Sequence, residues 1–431
     1  MERVVKDELE VHLEQNSLIG ASQHGFRRGR SPVTNLIEFM EKLTTWMDEG
    51  QPFDIIYCDF AKALNKVCHK SLIVKLKAAG VGGDLIGWIE DWLKGRKQRV
   101  VVDGETSEEE SVESSVLQGS VLGGTFFGVF IEDLDEFIKA LLNKFADDTK
   151  MAMIVRNVQE ARELQADIDR LAAWALKWKM AFNVSKCKVM HVGRRNIRYE
   201  YEMYGTKLAA VEEEKDLGVW MHSSMKPTTQ CERAAKSANM ALGMILRAFH
   251  YRSREVLIPL YKTFVRPKME YAAAVWSPWL KKDEDILEDV QKRMMRSLSD
   301  CPGRSYEERL EKAGLTTLKE RRIRGDLIET FKVNKGIDQV DKNKWFKIRG
   351  GDEVRPTRAN TMISDGTAER RSDVLYKNAA SSETRNNFFT MRVVRSWNEL
   401  PEEVKSKMSV DSFKSAYDGW RKLQSQTIQQ Q

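Results

Sequence analysis

Residues 53–60 read Phe-Asp-Ile-Ile-Tyr-Cys-Asp-Phe, an apolar run dense in aromatic and β-branched side chains and bounded by Pro52. A run this short and this apolar predicts a buried strand. Asp59 near its end is hard to place in a core unless something uses its charge. A second segment, Phe145-Ala146-Asp147-Asp148-Thr149, sets two carboxylates side by side between apolar residues. Adjacent like charges repel, so a turn between two strands that presents both acids at its tip is expected there. Brought together on one sheet, the two segments make an oxygen-rich site for hard divalent cations. Mg²⁺ takes few carboxylates and keeps positions for water and phosphate. Two such ions ~3.5–4 Å apart serve in-line phosphoryl displacement. An Asp-Asp pair alone is more often a solvated turn, so its context has to decide.

Helices are expected over 1–16, Asn35–Asp48, Ser71–Ala79, Leu85–Leu93 and Val158–Trp178. The last sets Ala161, Leu164, Ile168, Leu171, Trp174 and Leu176 near one stripe. Strands are expected at Arg99–Asp103, at both ends of Lys144–Met153, at Lys188–Val192 and at Leu217–Trp220. The acidic stretch Glu105–Glu113 reads as a solvated loop, and Gly119–Lys139 as a loop leading into a buried helix. Residues 229–300 read as helical throughout. The end of the chain holds a basic, weakly periodic stretch at 342–371 and a helical tail carrying Trp397. Trp276, Trp279 and Trp397 are expected as core anchors, and His69 as structural. Strands early and helices late predict an α+β domain followed by a helical one.

Composition excludes more than it selects. The 431 residues are 42% hydrophobic, too apolar for wholesale disorder. No stretch approaches ~18 uninterrupted apolar residues, so no transmembrane helix is expected. The charged start shows no secretory signal. Five cysteines (58, 68, 187, 231 and 301) fit no zinc or disulfide spacing and suggest a reducing, intracellular setting. The net charge of +6 is compatible with nucleic acid as a partner.

The order of motifs supplies the context. Tyr57-Cys58-Asp59-Phe60-Ala61-Lys62-Ala63, Leu117-Gln118-Gly119-Ser120-Val121-Leu122-Gly123 and Phe145-Ala146-Asp147-Asp148-Thr149-Lys150 together resemble reverse transcriptases of non-LTR (LINE-type) retrotransposons, above all the jockey and chicken-repeat type. Ser22-Gln23-His24-Gly25-Phe26-Arg27-Arg28-Gly29-Arg30-Ser31 is similar to that family's second fingers motif. Asn183-Val184-Ser185-Lys186-Cys187 is similar to its lysine-bearing motif, and Glu214-Lys215-Asp216-Leu217-Gly218-Val219 to its primer grip. Ser253–Tyr261, Tyr306–Leu310 and Ser396–Pro401 extend the resemblance along nearly the whole chain.

The resemblance implies an α+β right-hand polymerase. Partial fingers and palm would span 1–222, a helical thumb 223–335, and a basic linker with a mixed, helical C-terminal extension 336–431. Asp59, Asp147 and Asp148, with the backbone carbonyl of Phe60, would hold two Mg²⁺ ions (or Mn²⁺). Lys186 would be a proton donor to the leaving pyrophosphate. Arg27, Arg28, Arg30, Leu64, Gln118 and Gly119 would contact nucleotide or template. Leu217, Gly218 and Val219 would hold the primer end. The implied partners are an RNA template, a DNA primer and deoxynucleoside triphosphates, with no membrane. The implied placement is the nucleus or cytoplasm.

The chain departs from the family at several positions. Leu64 stands where the family usually has the Phe or Tyr that blocks a ribose 2′-hydroxyl, and Asn65 where it usually has Asp. Ser115 replaces a usual glycine and Gly124 a usual proline. The family's upstream endonuclease and first fingers motifs are not recognisable, which implies an N-terminally truncated fragment. Two functions are therefore expected to compete: an RNA-directed DNA polymerase, and an inactive or domesticated nucleic-acid-binding relic of the same fold. An unrelated metal hydrolase would need a further acid or histidine cluster, which the sequence does not offer.

Overall fold

The computed structural model describes residues 1–116, 119–301, 303, 305–348 and 374–429, with side chains to residue 424. The chain divides into two compact units, Met1–Asn35 with Gly50–Glu214 and Leu36–Glu49 with Lys215–Gln431.

The first unit forms around the expected apolar run. Strand β1 (Phe53–Cys58) is the middle of a five-stranded sheet, with Phe53, Ile55 and Ile56 fully buried. Its neighbours are β2 (Leu141–Phe145), β3 (Asp148–Ile154), β4 (Lys188–Val192) and β5 (Ala209–Ala210), in the order β5-β4-β1-β3-β2. Every pairing is antiparallel except β5 with β4. The acid within β1, Asp54, lies wholly inside. It accepts hydrogen bonds from Asn196 Nδ2 (2.7 Å) and Tyr201 Oη (2.6 Å) and pairs with His191 Nδ1 at 2.7 Å. These partners meet the requirement that a buried carboxylate be satisfied. Burial, with Asp54 alongside, pushes the Tyr201 hydroxyl up in pKa and keeps it a donor.

Helix α1 (Glu2–Gln15) buries Val5, Leu9 and Leu13. The helix Gly123–Phe130 is apolar on all sides, with Phe126, Phe127 and Phe130 fully buried. Helix α3 (Val158–Lys177) starts at Asn157, whose side chain accepts the Glu160 N–H at 3.0 Å. Ala161, Leu164, Ile168, Leu171 and Ala175 form its buried stripe. Leu176 is 65% exposed, contrary to the expected stripe. At ~100° per residue it points about a quarter turn away from the stripe's centre. The Arg99–Glu113 region also differs from expectation. Val101–Val102 pairs with Glu105–Thr106, and Lys97–Gln98 with Glu110–Ser111, so the acidic stretch is one arm of an exposed two-stranded hairpin.

One buried cation sits beneath the helix Gly123–Phe130. Lys75 Nζ donates to Asp133 Oδ1 at 2.6 Å and lies 3.9 Å from the centre of the Trp178 ring, with Phe130 and Trp174 also around it. Burial pushes its pKa down to about 8, below the unfolded lysine's ~10.4. Between those two values the unfolded chain binds more protons, so stability rises with pH there, by up to ~1.4 kcal/mol per pH unit. From pH 7.5 to 9.5 the native chain is therefore expected to gain stability relative to Lys75→Met. Urea unfolding at the two pH values measures this, and parallel pH dependence of the two proteins would contradict it.

Among the described residues the second unit is helical with two short two-stranded pairings, one of them Lys347–Ile348 with Leu375–Tyr376. Helix α2 (Pro32–Asp48) begins three residues before the expected Asn35, and its residues from Leu36 belong to this unit. Strands β6 (Glu213–Asp216) and β7 (Val219–His222) pair where the chain enters it. Helices α4 (Thr228–Ala248) and α5 (Lys281–Arg296) pack on each other. The expected continuous helix over 229–300 is broken in between, at 249–253, 271–272 and 277–280. At the last break Ser277 precedes Pro278 and is extended, with ψ 123°, as a residue before proline prefers. Helix α6 (Leu318–Asn334) opens on a capping box between Thr317 and Glu320. It packs on α7 (Phe389–Asn398) and α8 (Val410–Gln429), with Phe413 stacked 4.4 Å from Phe331 and 6.3 Å from Trp397. The expected boundary at 336 thus falls inside a single packed unit. Trp276 and Trp397 are buried anchors, while Trp279 is only half-buried. Residues 349–371 of the basic stretch lie outside the described residues. Among the described residues no helix is long and apolar enough to cross a membrane.

Candidate active site

The two sheet registers that flank β1 decide where its acid lies. Cys58 pairs with Thr149 of β3, and Tyr57 pairs with Lys188 of β4. Continued one step past the strand, these registers set Asp59 opposite Asp148 on one side and Lys186 on the other. The Lys186 ammonium closes that gap, lying 3.1 Å from Asp59 Oδ2. Behind them Cys58 and Cys187 face each other. The hydrogen bond between these buried thiols raises Cys58 in pKa and lowers Cys187.

Ala146 and Asp147 form a two-residue hairpin turn across which Phe145 pairs with Asp148. Ala146 takes φ +55° and Asp147 is half-buried, while Asp148 is exposed at the start of β3. The three aspartates are thus at one end of the sheet, on adjoining strands. Among the described residues no three His, Cys, Asp or Glu side chains stand close enough together to hold an ion. The Asp59 carboxylate is instead turned to Lys186, as expected of neighbouring carboxylates that repel one another. The donor set itself, hard oxygens at a partly open sheet end, fits a divalent cation.

The Phe60 side chain is buried, stacked 4.2 Å from Phe182 and edge-on to Trp174. Its bridge to Phe182 is made by the Asp59 carbonyl, which accepts from Asn183, and by the Ala61 N–H, which donates to Ala181. The Phe60 carbonyl takes no part in that bridge.

Leu64 is half-buried against the core, and its carbonyl accepts the Val116 N–H at 2.9 Å. The Ser115 N–H likewise reaches the Val67 carbonyl at 2.9 Å. These bonds tie the segment before Gly119 to the backbone after Asp59. Ser115 holds φ +115°, a region that favours glycine, so the serine stores strain of ~1–3 kcal/mol. Gly124 faces the Phe26 ring, and a Cβ there would meet it at 2.4 Å. A proline therefore has no room while Phe26 keeps its position. Gly119 lies in a turn with φ +88°, and Gln118 lies outside the described residues.

In the arginine loop two guanidiniums donate to the loop's own backbone. Arg27 Nη1 donates to the Gly20 carbonyl at 2.7 Å, and Arg30 Nη1 to the Ala21 carbonyl at 2.9 Å. Both brace their own loop, whose polar backbone needs partners. Arg28 is exposed. The spacing gave no sign of a further contact, in which Gln23 and Gly25 of this loop meet the aspartate turn.

Leu217, Gly218 and Val219 belong to the second unit. A strand over Leu217–Trp220 is expected, but the strand begins at Val219. Leu217 (φ +45°) and Gly218 (φ +88°) form the turn before it. Two positive φ values match the hairpin turn that suits strand twist. Tyr271 Oη donates to the Leu217 carbonyl at 2.9 Å and holds the turn, and Arg233 lies over the Trp220 ring.

Residues 1–230 match the family described as reverse transcriptase (RNA-dependent DNA polymerase). Among curated proteins, the RNA-directed DNA polymerase from mobile element jockey of Drosophila funebris is 24% identical over 315 residues, covering 70% of this chain and 34% of that protein. The probable RNA-directed DNA polymerase from transposon BS of Drosophila melanogaster is 26% identical over 325 residues, covering 70% of this chain and 35% of that protein. The chain therefore spans about a third of the length of these relatives. Among solved structures, apo telomerase from Candida tropicalis gives a TM-score of 0.43 at 11% identity, covering 78% of this chain and 54% of that one.

Proposed function

Because the chain belongs to the reverse transcriptase (RNA-dependent DNA polymerase) family, we propose that it adds deoxynucleotides to a primer 3′-hydroxyl under the direction of an RNA template. The observation that carries this reading is the register that sets Asp59, Asp147 and Asp148 on adjoining strands at one end of the sheet, with Lys186 beside Asp59. Asp59, Asp147, Asp148 and the Phe60 carbonyl would hold two Mg²⁺ ions. When bound, such ions activate the attacking hydroxyl and stabilise the developing charge on the phosphates.

The protein's own groups do the rest. Lys186 pairs with the Asp59 carboxylate, and in this reading it would give a proton to the departing pyrophosphate. Arg28, exposed on its loop, offers a planar donor array to phosphate. The bond from the Val116 N–H to the Leu64 carbonyl ties Val116 to the position that would sense the sugar. The Leu217-Gly218 turn and Val219 would carry the primer end. The exposed Arg233, Lys236 and Arg247 of α4 would track duplex phosphates without reading sequence. The life cycle of a retroelement would place the protein in the nucleus or cytoplasm.

The test is primer extension by the purified chain on an RNA template with Mg²⁺. The expected product is complementary to the template and is lost with chelator. RNA binding without any extension would favour the binding-relic reading. Leucine at position 64 is bulky yet flexible, so discrimination against ribonucleotides is expected to be loose. Leu64→Phe is expected to raise deoxynucleotide selectivity by about tenfold or more, measured by competition between the two nucleotide types. An unchanged ratio would remove Leu64 from the sugar-sensing role.

A further inference from the structure

The loop that carries Gln23 makes a one-residue parallel bridge, Gln23 to Lys144, on the open edge of β2. The His24 N–H donates to the Lys144 carbonyl at 2.9 Å, the Lys144 N–H donates to the Ser22 carbonyl at 2.8 Å, and Asn35 Nδ2 adds a bond to the Lys144 carbonyl at 3.0 Å. Between them the Gln23 side chain, 1% exposed, reaches past the end of the strand. Its Oε1 accepts the Gly25 N–H at 2.7 Å and the Ala146 N–H at 3.0 Å. Both partners are donors, so chemistry fixes which end of the amide faces them.

Ala146 is the first residue of the two-residue turn, and Asp147 follows it. A residue with φ +55° is not held there by the strand ladder, so its conformation depends on local contacts. Gly25 presses on the same turn, where a Cβ would meet Ala146 N at 2.2 Å and Ala146 Cα at 2.9 Å. A glycine is required for that approach. The turn is thus gripped from one side by a buried acceptor and a bare backbone. Neither belongs to the segments that carry the aspartates.

We propose that Gln23 is a positioning residue for nucleotidyl transfer, its side-chain carbonyl fixing the Ala146 amide and, through it, the aim of Asp147 and Asp148. The catalytic consequence rests on the polymerase reading above. A neutral amide suits this role because it supplies an acceptor without a fourth negative charge beside three aspartates. The effect sought is one of aim, and a displacement of ~1 Å at reacting groups costs on the order of 10²-fold in rate.

The experiment compares the full chain with Gln23→Met, which keeps the shape and removes the acceptor, and with Gln23→Glu, which retains an acceptor. Amide exchange at Ala146 is the first readout. It is expected to be at least about tenfold faster in Gln23→Met, with the β2–β3 ladder amides unchanged, and to return toward the native rate in Gln23→Glu. Single-nucleotide extension is the second readout. In Gln23→Met, kcat is expected to fall about 10- to 100-fold and the Mg²⁺ midpoint to rise, while nucleotide KM and RNA affinity hold. A merely structural role would lower the melting temperature and leave the Mg²⁺ midpoint where it was. Native exchange at Ala146 in Gln23→Met overturns the inference, as does native kcat with a native Mg²⁺ midpoint. If Gln23→Met loses its fold, Gly25→Ala, which intrudes on Ala146 with the acceptor intact, must give the same kcat and midpoint changes or the inference falls. A native chain that extends no primer counts against the polymerase reading alone, and the exchange comparison then decides the inference.

Discussion

Asp147→Ala is expected to lower the rate of single-nucleotide incorporation by at least about 10³-fold, equivalent to ~4 kcal/mol of transition-state stabilisation. An alanine at the turn's tip removes one of the three carboxylates that would hold the ions. The fold does not need this carboxylate. The turn's shape is set by Ala146 at φ +55° and by the bond from its N–H to Gln23. The Asp147 carbonyl, which accepts from Thr149 Oγ1, survives the change. Thermal unfolding and RNA affinity are therefore expected to stay near native. Rapid-quench measurement under saturating primer and template gives the rate, and a variant that kept more than about a tenth of it would remove Asp147 from the chemistry.

Arg385→Met is expected to destabilise the second unit by about 3–5 kcal/mol. The Arg385 guanidinium is 8% exposed and grips Glu41 with both terminal nitrogens, Nη1 lying 2.8 Å from Oε2. The same Nη1 also donates to Thr44 Oγ1 at 3.1 Å, and Thr390 Oγ1 donates to Glu41 at 2.6 Å. Removing the arginine leaves a largely buried carboxylate with one hydroxyl for company. The doubly substituted Arg385→Met/Glu41→Met chain is expected to recover much of the loss, because the stranded charge goes with its partner. Urea unfolding of the three proteins measures both values. A single substitution costing under ~1 kcal/mol would show that the pair is effectively solvated.

The sequence disclosed the parts of this architecture that depend on local pattern. Phe53–Cys58 is the central strand because its residues, Asp54 apart, show no polar alternation, as a strand covered on both faces requires. Helix α3 follows from its spacing, and its error at Leu176 came from counting an apolar residue that lies off the stripe. The aspartate turn was legible for the same kind of reason, since two adjacent acids between apolar runs have few places to go.

Contacts set by register were not legible. Lys186 meets Asp59 only because β4 runs antiparallel to β1 with Tyr57 opposite Lys188, and no pattern within either segment encodes that. The grip of Gln23 and Gly25 on Ala146 joins segments that lie far apart in the chain. The resemblance implies nucleotide or template contacts for the arginines of the same loop, and what it does not disclose is that two of them also donate to the loop's own carbonyls. The strand expected over Leu217–Trp220 starts two residues late, because Leu217 and Gly218 both take positive φ and turn the chain.

If the aspartates gathered at one sheet end support metal-dependent, RNA-templated nucleotidyl transfer, Mg²⁺ must govern the chemical step itself. The decisive measurement is the single-turnover incorporation of one templated deoxynucleotide by the full chain as Mg²⁺ is varied from none to saturation. Expected are no incorporation without a divalent cation, a rise steeper than first order in Mg²⁺ as two ions enter, and selection of the nucleotide complementary to the RNA base. A chain that binds RNA in a salt-sensitive way yet incorporates nothing at any Mg²⁺ concentration would contradict the polymerase reading.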